Sequence, residues 1–374
     1  MIDVRINNQS LRDILAAPPR ITDQVNATCR TLDVTVDKAA GLENYLGQPV
    51  ELWYGGTRWF FGFLQKRGRT SKKTITYRVL DPLFFFNKNP DDWYIKNMTA
   101  TQGFKYLAGE IGIPIYQLAN TGAVFPALFY QAVEPGKVAV DLLARTYQAN
   151  GKKYWYRYNP GVDDFGLFLF ERTVPKLVWA FQSGTNLIDA TLEESIEELI
   201  TVVKLVNRET GKIVTRVDAD GLKAYGHRRH FEEANEDQAP TMEKDAQALL
   251  DKLKIVKKTM AITGVNPNQS IPQLYSGDVI YAEEAHTEIL GGYHIVNITQ
   301  EFVADDLVKL SMDIQRAPDV PDILYPDAHK PKEAANGTGL QQSADHNDAI
   351  TQALEKYGLN KVTTEPEGGD GGEW

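Results

Sequence analysis

The strongest constraint on this chain is a series of short runs in which apolar and polar residues alternate. In Thr31-Leu32-Asp33-Val34-Thr35-Val36-Asp37, every second side chain is apolar. That period of two places one face of a strand in a core and the other in water. Gly47-Gln48-Pro49 turns into Val50-Glu51-Leu52-Trp53-Tyr54, and Gly55-Gly56 is a hairpin turn signal. An aromatic-rich strand follows from Arg58 to Leu64, then a basic loop over 66–73, then the alternating run Thr74 to Leu80. Short strands at this spacing predict a sandwich or barrel over 1–90.

Residues 91–182 read as a smaller α/β domain. Thr101 to Ile111 predicts a short helix stopped by Gly112, with Pro114 just beyond. A second helix is expected from Lys137 to Gln148, after Pro135-Gly136 and before Asn150-Gly151. Lys153 to Tyr158 and Leu167 to Phe170 flank a turn at Asn159-Pro160-Gly161, which predicts a hairpin. Over 183–317 the pattern returns to β. Strands are expected at 201–206, 212–217, 259–265, 278–282, 293–298 and 307–314, with a helical insertion from Thr241 to Lys258. Residues 318–374 lose the apolar pattern and read as an acidic, Pro/Gly-rich linker and flexible tail with one short helix near 346–357. The expected fold class is therefore α+β, mainly β.

Of the 374 residues, 43 % are hydrophobic, enough for sizeable cores. The net charge of −10 argues against a general nucleic-acid binder, which meets phosphates with Lys and Arg. Residues 1–190 carry a net +5 and residues 191–374 a net −15. No apolar run reaches the roughly 20 residues of a membrane helix, so no membrane partner is expected. Met1-Ile2-Asp3-Val4-Arg5 has no basic-then-apolar leader. The single cysteine, Cys29, excludes an internal disulfide framework and a multi-cysteine zinc site.

A search for chemistry finds no nucleophile elbow, phosphate loop, zincin motif or EF-hand loop. No catalytic residue, cofactor or metal is expected. His227 and His230 share a helix face if that segment is helical, but Arg228 and Arg229 between them oppose a cation. Cys29 reads as a buried thiol. The Trp and Tyr run at 153–158 fits either a sugar platform or hairpin packing. Two charged clusters are candidate interfaces. Lys66, Arg67, Arg69, Lys72 and Lys73 put five positive charges in eight residues. Glu193, Glu194, Glu197 and Glu198 form an acidic face suited to a basic partner.

The order of features resembles the baseplate hub of contractile phage tails and phage-derived tail particles, in its late-control-D-like form from Gram-positive myophages and defective prophages. The matching segments begin with Arg30-Thr31-Leu32-Asp33-Val34, Leu46-Gly47-Gln48-Pro49-Val50-Glu51-Leu52 and Phe60-Phe61-Gly62-Phe63-Leu64. They continue with Tyr77-Arg78-Val79-Leu80-Asp81, Gly112-Ile113-Pro114 and Gly184-Thr185-Asn186-Leu187-Ile188. Ser195 to Leu199, Ser276-Gly277-Asp278-Val279-Ile280 and Gly292-Tyr293-His294-Ile295 close the series. The resemblance covers most of residues 20–316.

It implies two tail-tube-like β-barrel domains with the α/β domain between them. It also implies a homotrimeric ring whose six similar barrels match a sixfold tail tube on one face and a trimeric central spike on the other. Baseplate wedge proteins, and the tape measure, are further partners in such a tail. The implied place is the virion tail baseplate, assembled in the bacterial host cytoplasm. Binding to specific nucleic acid is not implied, although DNA can pass through an acidic ring. Two other readings stand beside it. One is a tail-associated cell-wall hydrolase using the Glu193–Glu198 carboxylates. The other is a carbohydrate-binding host-recognition protein using Trp155.

Overall fold

A computed structural model describes residues 1–316, apart from 26, 39–45, 70, 72, 174–178, 235–239 and 268–271. The expected linker and tail over 318–374 lie outside the described residues. The protein is α+β and mainly β, as the alternation predicts. Its first strands are β1 (Ile2–Ile6), β2 (Gln9–Ser10), β3 (Leu15–Gln24), β4 (Thr31–Asp37), β5 (Pro49–Tyr54), β6 (Thr57–Arg69) and β7 (Thr74–Leu80). Then come β8 (Asp91–Thr99), α1 (Ala100–Ile111), β9 (Ile115–Leu118), β10 (Val124–Val133), α2 (Pro135–Asn150), β11 (Tyr154–Pro160) and β12 (Phe165–Glu171). The remainder is β13 (Trp179–Gln182), β14 (Leu187–Ser195), β15 (Val202–Val206), β16 (Ile213–Val217), α3 (Ala219–Tyr225), β17 (Arg229–Glu233), α4 (Met242–Leu253), β18 (Lys257–Pro267), β19 (Val279–Glu284), β20 (Ile289–Ala304) and β21 (Leu307–Arg316).

The chain divides into two compact units. The first holds residues 1–188, 263–283 and those from 290 on. Its main sheet runs β18-β21-β20-β3-β4-β7-β6-β5-β1-β2, with β19 against β20 and β13 parallel to β19. Strands far apart in sequence meet where β3 pairs antiparallel with β20, Ile21 opposite Gln300. The boundaries expected at residues 90 and 182 do not coincide with this division. A period of two shows that a strand is half-buried, not which strand lies beside it.

Within the same unit, α1 and α2 pack on the β8–β10 ribbon and on the β11–β12–β9 sheet. Thr99 accepts from the Gln102 backbone N–H and Gln102 caps Thr99 in return, while Gly112 ends α1 at φ 76°. Phe104, Leu107, Leu142, Tyr156 and Leu169 fill the core, which reaches Phe61 and Phe63 of β6 and Leu83 and Phe86 of the 3-10 turn Pro82–Asn87. Several strands, β3 and β10 among them, have no counterpart in the sequence reading. β3 carries Pro18 and Pro19, whose rings donate no hydrogen bond, and its register with β4 shifts between Ala17 and Arg20. β10 holds Pro126 and shifts between Tyr130 and Val133, where Ala132 has φ 52°.

The second unit holds residues 189–262 and 284–289. Here β15 pairs antiparallel with β16 and parallel with β17. Val203, Leu205 and Val214 pack against Met242, Ala246 and Leu250 of α4. The helix expected to reach Lys258 stops at Leu253, and β18 begins at Lys257. Residues 257 and 258 of the expected helix lie in that strand instead. Among the described residues no helix is long and apolar enough to cross a membrane.

Gly62 shows why one motif position is glycine. A Cβ there would run into the Leu80 carbonyl of the neighbouring β7 and the Phe60 ring. Gly62→Ala is expected to lower unfolding free energy by about 1–3 kcal/mol, the scale of overpacking. Urea denaturation followed by tryptophan fluorescence measures this, and an unchanged midpoint would contradict the close approach.

Candidate functional site: charged strand ends and a buried ionic cluster

Because β4 and β7 are antiparallel with Thr31 opposite Leu80, the residue before β4 and the residue after β7 emerge together. These are Arg30 and Asp81, 2 % and 1 % exposed. The Arg30 backbone N–H donates to Asp81 Oδ2 at 2.9 Å, and the Leu83 N–H to Oδ1 at 3.1 Å. The Asp81 N–H donates back to the Arg30 carbonyl at 3.1 Å. Arg30 Nη2 donates to the Tyr158 carbonyl on β11 at 3.3 Å. Its guanidinium lies 5.0 Å from the Tyr275 ring centroid and 5.6 Å from that of Phe60.

Tyr275 is shared. Arg157 of β11 stacks on it at 3.7 Å and also lies 5.0 Å from the Phe170 ring. Arg157 Nη1 is 3.7 Å from Asp278 Oδ1, and Asp278 Oδ2 accepts from the Tyr275 N–H at 2.9 Å. Asp23, at the end of β3, accepts from the Ser276 N–H at 2.9 Å. Four stretches of chain thus converge on one set of charges, buried at Arg30, Asp81 and Asp23 and half-buried at Arg157 and Asp278, all within the first unit. Burial pushes the Asp81 carboxyl up to about 7 despite Arg30 and two backbone donors. Burial also raises Asp278. It raises the Cys29 thiol too, helped by Asp81 and Asp23, so Cys29 is no ready nucleophile.

Sequence reasoning quoted Arg30, Asp81, Ser276 and Asp278 only as pieces of a resemblance and did not pair them. The available signal was a single charge at the end of each alternating run. The charged clusters that it did single out lie elsewhere. Lys66, Arg67 and Arg69 are exposed on the end of β6 rather than in a loop. They face Arg78, Tyr77 and Ile75 of β7. Arg78 is neutralised by Asp33 at 2.9 Å. Lys73 sits in the turn with φ 61°, and Lys72 lies outside the described residues.

Glu193 and Glu194 are on strand β14, and Glu197 and Glu198 in the turn after it. Glu194 pairs with Lys258 at 2.5 Å and Glu198 with Lys257 at 2.9 Å, which halves the acidic cluster. His230 lies on β17 beside Glu232, and His227 precedes the strand, so they share no helix face. No metal-binding group of three or more His, Cys, Asp or Glu occurs among the described residues. Trp155 is 4 % exposed, and Tyr154, Tyr156 and Tyr158 are buried with it. The aromatic hairpin is a core and offers no sugar platform.

This architecture is that of phage tail proteins. The 43 kDa tail protein of prophage MuSo2 from Shewanella oneidensis shares it with a TM-score of 0.62, at 15 % identity, over 86 % of this chain and 99 % of that one. The chain belongs to the YQBQ-like family, whose model matches residues 20–314. It is 23 % identical to the phage-like element PBSX protein XkdQ of Bacillus subtilis over 281 residues, 73 % of this chain and 84 % of that protein. The E. coli c3393 protein, a type VI secretion component with structural similarity to T4 tail proteins gp27 and gp5, matches with a TM-score of 0.52 at 11 % identity. That match covers 86 % of this chain and 79 % of c3393. Family and fold thus agree with the hub-like resemblance read from the sequence.

Because the Asp81 carboxyl titrates at about 7 when folded and near 3.8 otherwise, the folded state holds its proton longer. That contribution to stability is complete below about pH 4 and is lost as pH rises through about 7. Melting temperature is therefore expected to fall from pH 5 to pH 8, and more steeply than in Asp81→Asn. Parallel profiles for the two proteins would refute the assignment.

Proposed function

We propose that this chain is the structural hub of a contractile-tail baseplate, a ring of three copies joining a sixfold tail tube to a trimeric spike. The observation that carries this is the match of nearly the whole described fold to tail proteins, together with family membership over residues 20–314. The likeness of c3393 to gp27 and gp5 supports the same reading. The symmetry argument is physical. One chain presents two sets of strands, β3–β7 and β18–β21. If each set forms a tube-like barrel, three copies offer six similar surfaces. The role is assembly rather than catalysis. Its partners are the tube, the spike and the neighbouring wedge and tape-measure proteins, in the tail itself.

The charged strand ends suit contacts between copies. Lys66, Arg67, Arg69 and Lys73 offer a basic edge, and Glu193 and Glu197 an acidic one. Lys72 and the ion-paired Glu194 and Glu198 flank these edges in sequence.

Mass measurement of the purified chain with and without its spike and tube partners tests the hub. A trimer, alone or on those partners, is expected, and a monomer in every mixture would sink it. If opposite charges hold the ring, about 1 M NaCl should dissociate it, since screening there acts within about 3 Å. Reversal of Lys66 and Arg69 to Glu should weaken assembly roughly tenfold, and adding Glu193→Lys and Glu197→Lys should restore it. Indifference to both salt and reversal would leave apolar strand edges as the contact.

A further inference from the structure

The Arg30 guanidinium has five N–H donors and almost no contact with bulk water. One of its nitrogens, Nη2, is used on the Tyr158 carbonyl. Among the described residues no acceptor is hydrogen-bonded to Nε or Nη1. The Asp81 Oδ2 atom stands 3.6 Å from Nε, close enough for charge attraction but too far for a hydrogen bond. Arg157 Nη1 is in the same position, 3.7 Å from Asp278 Oδ1. Acceptors are left over as well. Asp81 and Asp23 spend oxygens on the Arg30, Leu83 and Ser276 backbone N–H groups, and a carboxylate has about four lone-pair sites. Asp23, Cys29, Arg30, Asp81, Arg157 and Ser276 line one small cavity.

We propose that this cavity is a binding site for a single buried water molecule, which accepts from Arg30 and donates to the Asp81 and Asp23 carboxylates. The balance of groups selects the ligand. A halide accepts but does not donate, and would sit against two carboxylates. A metal cation would face two guanidinium groups and leave their N–H donors unmet. Only a molecule that donates and accepts at once satisfies both sets, and a small cavity whose wall carries these donors and acceptors suits water. The water then completes the Arg30–Asp81 pair, which direct contact leaves incomplete. It also supplies the route by which a proton reaches a carboxyl shut off from solvent.

A high-resolution crystal structure of the full chain, native and soaked in sodium bromide, tests this. The expected result is one density peak about 3 Å from both Arg30 Nε and an Asp81 or Asp23 oxygen, with no anomalous bromide signal there. A bromide peak would make it an anion site. A dry cavity with Arg30 Nε bonded directly to Asp81 would overturn the proposal outright. In solution, the Arg30 Nε–H of arginine-labelled protein should show a persistent nuclear Overhauser effect to water, assigned by its loss in Arg30→Lys. Its absence from the wild type would also count against the site.

Discussion

The buried pairing of Arg30 with Asp81 is the constraint on which the rest of the first unit depends. Each residue flanks an inner strand, the Asp81 N–H donates to the Arg30 carbonyl, and the Arg30 N–H donates to the Asp81 carboxylate. A slip of β4 against β7 by one residue would leave both charges buried without partners. Breaking such a pair costs about 3–5 kcal/mol, a large part of any domain's stability. The pair therefore penalises every other register of the two strands. Because Asp81 also caps the 3-10 turn Pro82–Asn87, the same contact places Leu83 and Phe86 in the α/β core.

From that point the cluster reaches outward. Tyr275 lies against both Arg30 and Arg157, and Asp278 and Ser276 fix the turn leading into β19. Chain segments more than 200 residues apart are thereby held at one place, as the Ser276–Asp23 hydrogen bond shows directly. The interior carries the unusual chemistry, and the exposed strand ends carry simple charge. The two sets do not share residues: Lys66, Arg67 and Arg69 lie on the sheet end, while Arg30 and Arg157 line the cavity wall.

Much of the secondary structure was legible. β4 was read to the residue, and α1 and α2 were recovered within a few residues because capping residues mark their ends. β3 and β10 were lost because proline breaks the alternation that identifies a strand. The acidic cluster was found, but its ion pairs with Lys257 and Lys258 were not, since both lie some 60 residues away on β18. Trp155 and its tyrosine neighbours looked equally suited to a surface or a core. Only packing on α1, α2 and β6 decided for the core.

By itself, the sequence determined the kind of chain: mainly β with a few helices, acidic in its second half, and similar in its motif order to a tail hub. Those properties are local, because alternation, capping and charge count depend on neighbours in the chain. The tertiary structure alone decided that β3 pairs with β20, that Arg30 meets Asp81, and that the aromatic hairpin faces inward. Such contacts form between distant segments, where burial makes a missing partner costly. No local pattern records which partner that will be.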